Sequence, residues 1–360
     1  MSKIRAGIIG ATGYAGAEIL RILASHPEAE AVWAGSRSYA GRQISSVYGN
    51  LLRFVDLSCV DDDTDRMKDT ITQLADEVDV IFTATPQGAC AKLVSEELLN
   101  KVKVIDLSAD FRLKDVAVYE KWYKITHCAT QFLDEAVYGL VELNRSKIPG
   151  ARLIANPGCY TTCSILTVYP LIKKGLIDPD SVIVDALSGV SGAGRGAKVD
   201  NLYCEVNESA KPYGVAGHRH TPEIEEQLGY AAGRPITLTF TPHLIPMNRG
   251  ILVTAYADLL PKADGTLPTQ EELHKVYEET YAGETFIRVL PEDVLPQTRF
   301  VEGSNFVDIN IKADVRTGRV IMMGTLDNMV KGAAGQAVQN MNLLFGLPEE
   351  TGLMMPPMFP

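Results

Sequence analysis

The chain has 360 residues, 46% of them hydrophobic and 22% charged, which is enough apolar material for two cored domains and excludes a disordered chain. Its formal net charge of −11 opposes binding to nucleic acid and anionic membranes, so a phosphate-bearing ligand has to be drawn by local arginine and lysine clusters. Six cysteines, at 59, 90, 128, 159, 163 and 204, form no Cys-x-x-Cys pair and no disulfide framework; with neither a signal peptide nor a membrane-length apolar run in view, a cytoplasmic protein without a metal site is expected.

Residues 4–9 read as a strand, 15–25 as a helix and 29–34 as a second strand. The turn between the first two, Gly10-Ala11-Thr12-Gly13-Tyr14-Ala15-Gly16, makes Gly10, Thr12, Gly13, Tyr14 and Gly16 candidate contacts for a dinucleotide pyrophosphate. Glycines there let backbone N–H groups approach the phosphates at a helix N-terminus. The spacing departs from the strict Gly-x-Gly-x-x-Gly fingerprint, so the strand and helix on either side carry the expectation. NAD-binding chains usually end the second strand on an acid that holds the ribose 2′-hydroxyl. Here Gly35-Ser36-Arg37-Ser38 follows, with Arg42 nearby, and a guanidinium with the hydroxyls of Ser36 and Ser38 suits a 2′-phosphate, which predicts NADP(H). Residues 78–84 and 102–107 are two further buried-type strands, with a helical segment over 88–100 between them. Pro86 and Gln87, in the loop after the first of these, are expected beside the nicotinamide half. Such alternation predicts an α/β domain with a Rossmann-type doubly wound parallel sheet.

Residues 152–155 form a short apolar strand, Asn156-Pro157-Gly158 a tight turn, and helical spacing resumes over 162–168. Cys159 therefore falls at the positive end of a helix dipole, among unpaired N–H groups that favour thiolate over thiol, and becomes a candidate nucleophile. The commoner fate of a cytosolic cysteine is a small buried hydrophobe. Beyond about residue 157, extended runs at 181–187, 236–245, 251–259, 306–313 and 319–324 predict an α+β catalytic domain with a largely antiparallel or mixed sheet. In Ser188-Gly189-Val190-Ser191-Gly192-Ala193-Gly194-Arg195 the glycines bring backbone close to a ligand, Ser188 and Gly189 being candidate cofactor contacts, and Arg195 offers a forked donor for phosphate or carboxylate. Glu205 is a weaker candidate for a substrate contact. Gly217-His218-Arg219-His220-Thr221-Pro222 sets two imidazoles and a guanidinium before a helix with Thr221 as its N-cap and Pro222 as its first residue. Residues 330–345 are helical, and the proline-rich 354–360 forms an irregular tail. The expected domains are 1–156, completed by 328–360, and 157–327.

Together these segments resemble the N-acetyl-γ-glutamyl-phosphate reductase family of arginine biosynthesis, over nearly the whole chain. The resemblance is carried by the glycine turn, by Asp106-Leu107-Ser108-Ala109-Asp110-Phe111-Arg112, by Tyr138-Gly139-Leu140 and by Asn156-Pro157-Gly158-Cys159-Tyr160. It continues in the Ser188 to Arg195 loop, in His218-Arg219-His220 and in the segment from Asn328 to Ala337. It implies the semialdehyde-dehydrogenase-like fold, NADPH, an acyl phosphate substrate and a homodimer or homotetramer. It further implies a thioester on Cys159, with His218 or His220 as the acid/base group and Asn328 near the cofactor. Ser108, Arg112, Asn156, Arg195, Glu205 and Arg219 become the candidate substrate contacts, the arginines for its phosphate and carboxylate. The chain departs from the family pattern at Thr161 and Val141, where proline is common. The rival readings are the same chemistry on N-acetyl-aminoadipyl phosphate of a lysine route, and a noncatalytic NADP-binding sensor.

Overall fold

Strand β1, Ile4–Ile9, is sealed at Ala6, Ile8 and Ile9, as a strand covered on both faces must be. Gly7 within it carries no side chain because the Trp33 ring fills that space. The computed structural model of the chain describes residues 2–63, 65 and 68–359. Around β1 lie β2 (Ala29–Gly35), β3 (Cys59–Val60), β4 (Val80–Thr83), β5 (Lys103–Asp106), β6 (Val137–Tyr138) and β7 (Leu153–Ala155). Every pairing among them is parallel, in the order β3-β2-β1-β4-β5-β7-β6. The order reverses between β1 and β4, and an open parallel sheet takes its ligand beyond the carboxyl ends of the strands at such a reversal. The helical stretch expected over 88–100 is two helices, Ala89–Leu93 and Glu96–Lys101. Ser95 interrupts it by capping the second, its Oγ accepting from Leu98 N at 3.2 Å.

The second sheet is mixed. It comprises β8 (Ile183–Ser188), β9 (Lys211–Pro212), β10 (Thr239–Leu244), β11 (Ile251–Asp258), β12 (Ile287–Val289), β13 (Val307–Asp314) and β14 (Arg319–Leu326), in the order β12-β13-β14-β11-β8-β10-β9. The β8–β10 and β12–β13 pairs are parallel and the rest antiparallel. Burial alternates strictly along β11, with Ile251, Val253, Ala255 and Ala257 sealed. The helix Cys159–Lys173 packs on β11 and β14, and the helices Thr221–Ala232 and Gln270–Thr280 pack on it in turn. Pro170 lies inside that helix and cannot donate to the carbonyl of Leu166, four residues back. The Tyr281 hydroxyl donates to that oxygen instead, and the Tyr277 hydroxyl to Thr167 O at 2.6 Å.

Two compact units follow from the contacts: Met1–Gly158 with Ala333–Met355, and Cys159–Gly332 with the tail from Pro356. The helix expected over 330–345 opens as a π-helical turn, Val330–Ala334, and becomes α-helical at Gly335–Leu344. Among the described residues, no helix is long and apolar enough to cross a membrane.

Candidate active site

In the second unit, the helix Cys159–Lys173 begins at the cysteine itself, which places Cys159 at the positive end of its dipole. Cys159 is half-buried, while Cys163, one turn on, is sealed, and burial pushes the Cys163 thiol far above its ordinary value. Of the two thiols on this helix, the one at the dipole's positive end is the accessible one. Gly332 presses against it: a Cβ at that position would lie 2.8 Å from Cys159 Cβ and 3.2 Å from its Cα.

Tyr160, the next residue, is buried and gathers the histidines. Its ring meets His218 edge-on at 5.7 Å between centroids, His220 at 6.0 Å and Phe240 at 5.5 Å. The two imidazoles lie 4.9 Å apart. Tyr160 donates to His243 O at 3.1 Å, leaving its oxygen to accept from the Tyr213 hydroxyl at 3.2 Å. Burial pushes Tyr213 up to about 12, with the charge of Cys159 raising it further and that of Arg219 opposing. Tyr213 thus lies within electrostatic reach of both the thiol and the guanidinium. Burial, aided by the Arg219 charge, lowers His218 to about 4, so its ring is neutral at pH 7. His220 N donates to His218 Nδ1 at 3.1 Å, which assigns the remaining ring proton to Nε2. His218 is therefore a fixed donor. His220, not Thr221, is the N-cap of Thr221–Ala232, with proline still in the first turn.

In the first unit, the glycine turn sits at the sheet's reversal point. Gly10 has φ +78°, and a Cβ there would come within 2.4 Å of Ala84 O, beyond β4. A Cβ on Gly16 would meet Gly10 O at 2.4 Å, so glycine alone lets the helix Tyr14–Leu23 lie this close. That helix has no side-chain cap and no acid in its first turn, as a pyrophosphate site requires. Thr12 Oγ1 and Ser36 Oγ share a hydrogen bond of 2.6 Å, while Tyr14, Arg37 and Ser38 are exposed. Asp62, which belongs to no motif, accepts from Gly10 N at 2.7 Å and also from the backbone of Arg37. The residues present fit a dinucleotide. Pro86 is exposed and Gln87 half-buried in the loop after β4, whose Gly88 N donates to Asp110 at 2.7 Å.

Several candidate residues serve the fold in the contacts they make. Ser108 donates to Asp106 at 2.8 Å, and Arg112 donates to the carbonyls of Asn156 and Leu107, each at 2.8 Å. The Asn156 amide spans Ala333 O at 3.1 Å and Asn340 at 3.2 Å. Asn328 accepts from Gly250 N at 2.8 Å and donates to Ser191 at 2.9 Å, stapling the loop after β8. In that loop Ser188 is buried, and Gly189 passes so near Asn248 that a Cβ would lie 2.6 Å from its carbonyl. Arg195 and Glu205 are exposed on the segment between β8 and β9, and Arg219 is exposed between its histidines.

Comparison with known proteins adds the family. The chain is 64% identical to the N-acetyl-gamma-glutamyl-phosphate reductase of Lachnospira eligens over 99% of its own length and 100% of the relative's. It belongs to that reductase family. The Lachnoclostridium phytofermentans reductase is 60% identical, covering 99% of this chain and all of that one, and the Campylobacter jejuni enzyme 54%, covering 98% of each. Two family descriptions divide this reductase-family chain, "Semialdehyde dehydrogenase, NAD binding domain" over residues 5–151 and "Semialdehyde dehydrogenase, dimerisation domain" over 159–328. Its first unit therefore takes a nicotinamide cofactor. Among solved structures, aspartate semialdehyde dehydrogenase II of Vibrio cholerae matches with a TM-score of 0.71 at 17% identity, covering 96% of this chain and 99% of that one. The enzyme of Francisella tularensis matches at 0.65 and 14%, covering 94% and 99%. At such identities the likeness concerns the fold, which is the semialdehyde dehydrogenase fold.

Proposed function

We propose that the chain catalyses the NADPH-dependent reduction of N-acetyl-γ-glutamyl phosphate to the semialdehyde, with release of phosphate, through a thioester on Cys159. The observation that carries this is the accessible thiol at the first turn of its helix, beside two imidazoles gathered on Tyr160, in a chain 64% identical to a reductase of that name. The relatives named above all carry the acetylglutamyl name, which leaves the longer aminoadipyl substrate without support.

Cys159 Sγ bonds to the acyl carbon as the bond from that carbon to the phosphate oxygen breaks, and phosphate leaves with the electron pair. NADPH, when held by the first unit, would supply the hydride that takes the thioester to the aldehyde level. First-turn N–H groups and the Nε2–H of neutral His218 are the donors suited to the oxyanion. Sulfur departs as thiolate, the form favoured at the helix terminus. His220 is then left to handle the proton, and Arg219 to hold an anionic group of the substrate. Gly10, Gly13 and Gly16 would hold the pyrophosphate. Preference for NADPH is supported by exposed Arg37 and Ser38 after β2, and by the buried position of Asp62, whose carboxylate is occupied with backbone N–H groups. A homodimer built on the second sheet is supported by the family description of residues 159–328.

The reverse reaction tests the proposal. With N-acetylglutamate semialdehyde, phosphate and NADP⁺, wild type should form NADPH, and omitting phosphate should stop turnover after the thioester forms. Cys159→Ser should abolish turnover and leave NADPH binding intact. Substantial activity in that variant would refute the thioester route.

A further inference from the structure

In the first unit, the glycine turn after β1 and the loop after β2 are tied to each other. Ala11 N donates to Gly35 O at 2.8 Å, and Thr12 shares its hydroxyl bond with Ser36. The loop itself is stitched to β3, Ser36 N donating to Val60 O and Gly41 N to Cys59 O, each at 2.8 Å. Between those stitches Arg37 and Ser38 stand exposed. Asp62, two residues past β3, joins both segments through one side chain: it accepts from Gly10 N at 2.7 Å and from the backbone of Arg37. Gly35 ends β2, where an NAD-binding chain usually carries its ribose-holding acid. A Cβ on Gly35 would lie 2.6 Å from Asp62 Cβ and 2.7 Å from its Oδ2, so a carboxylate from another strand fills that corner. At 8% exposure it serves backbone N–H groups, which a buried carboxylate needs.

We infer that Asp62 sets cofactor selectivity: by holding Gly10 and Arg37 on one side chain it fixes the reach from the pyrophosphate turn to the Arg37 guanidinium, and is a positioning residue for the 2′-phosphate contact. This rests on Arg37 reading that phosphate. A ligand that engages both segments gains from their being held at a fixed separation, because less ordering is left for binding to supply. NADH lacks the 2′-phosphate and engages the glycine turn without Arg37. Loss of the bridge should therefore weaken NADPH more than NADH.

The test is a titration of the full chain with NADPH and with NADH, read by the emission of the reduced nicotinamide, beside kcat/KM with each cofactor. The wild type should prefer NADPH. Asp62→Asn keeps the size of the side chain but sets an amide N–H where an acceptor stood, and should cut the NADPH-over-NADH preference in Kd roughly tenfold, the scale of one hydrogen bond to a charged group. Arg37→Ala should lower the preference as well, and in that background Asp62→Asn should lower it no further, because the contact it positions is already gone. Should the asparagine variant fail to fold, Asp62→Ser, smaller and still polar, reads the same ratio. An equal loss for both cofactors would make Asp62 a purely structural residue and overturn the inference, as would an undiminished effect in the Arg37→Ala background. A wild type without preference for NADPH would refute the role of Arg37 and the inference with it, and would leave the thioester reading standing.

Discussion

His218 shows how one half-buried ring sets a pH dependence. Its ordinary value is 6.5, and burial with the nearby Arg219 charge lowers it to about 4 in the folded protein. Between these values the unfolded chain binds more protons, so the stability linked to this residue falls as pH drops from 6.5 towards 4 and is level above that window. Replacing it by Gln should remove that slope: between about pH 7 and about pH 4.5 the variant's melting temperature should fall less than the wild type's. Asp62 and Asp106, both raised chiefly by burial, act in the opposite sense in both proteins, so the difference isolates His218. Equal slopes in calorimetry would mean that the imidazole is not held neutral. Gly332 is a second case, because a methyl at 2.8 Å from Cys159 Cβ forces either the π-helical turn or the thiol to move. Gly332→Ala should cost roughly 1–3 kcal/mol of stability, as overpacking does, and lower the alkylation rate at Cys159. An unchanged rate would show that the turn yields and the thiol does not.

At the scale of elements, the helix Cys159–Lys173 keeps its path through Pro170 because Tyr281 donates to the carbonyl that proline leaves unserved. Tyr281→Phe removes that donor and leaves a buried acceptor, so denaturant unfolding should show a loss of about 1–3 kcal/mol, with kcat little affected. A loss within error would mean that the Leu166 carbonyl finds another donor. This helix also shows what the chain's pattern can and cannot convey. Its start was legible, since Pro-Gly closes a strand and a cysteine opens the apolar spacing. Its tyrosine support was not, since Tyr281 lies far along the chain and nothing local marks it. The break at Val94 has no local mark for a related reason: apolar spacing runs through it, and only the capping geometry of Ser95 divides the two helices. Asp62 belongs to no motif and acts through Gly10, more than fifty positions away in sequence, so only the tertiary fold reveals it. Ser108, Arg112 and Asn156 carry a family pattern, yet their observed contacts are internal, because a buried polar group in a tight loop is first needed to satisfy the backbone.

For the whole molecule, the open question is assembly, and the second sheet bears on it. One of its faces is covered by helices. On the other, Tyr256 lies between Ile183 and Ile321 in one apolar row across three strands, Leu252 lies between Leu187 and Thr325, and Thr254 between Asp185 and Met323. These residues, Thr325 apart, are half-buried or exposed, where their neighbours along each strand are almost all sealed. A second copy laid face to face would bury this face as sandwiched sheets do, and a two-fold axis would set each Leu252 within a patch identical to its own. A lysine in place of Leu252 would set a charge among the leucines of two apposed copies, so Leu252→Lys should weaken self-association. Light scattering on the wild type should give about twice the 39.2 kDa chain mass or a higher even multiple, and the variant should shift towards the single chain. A wild type already at the single-chain mass, or a lysine variant that stays fully assembled, would place the interface elsewhere.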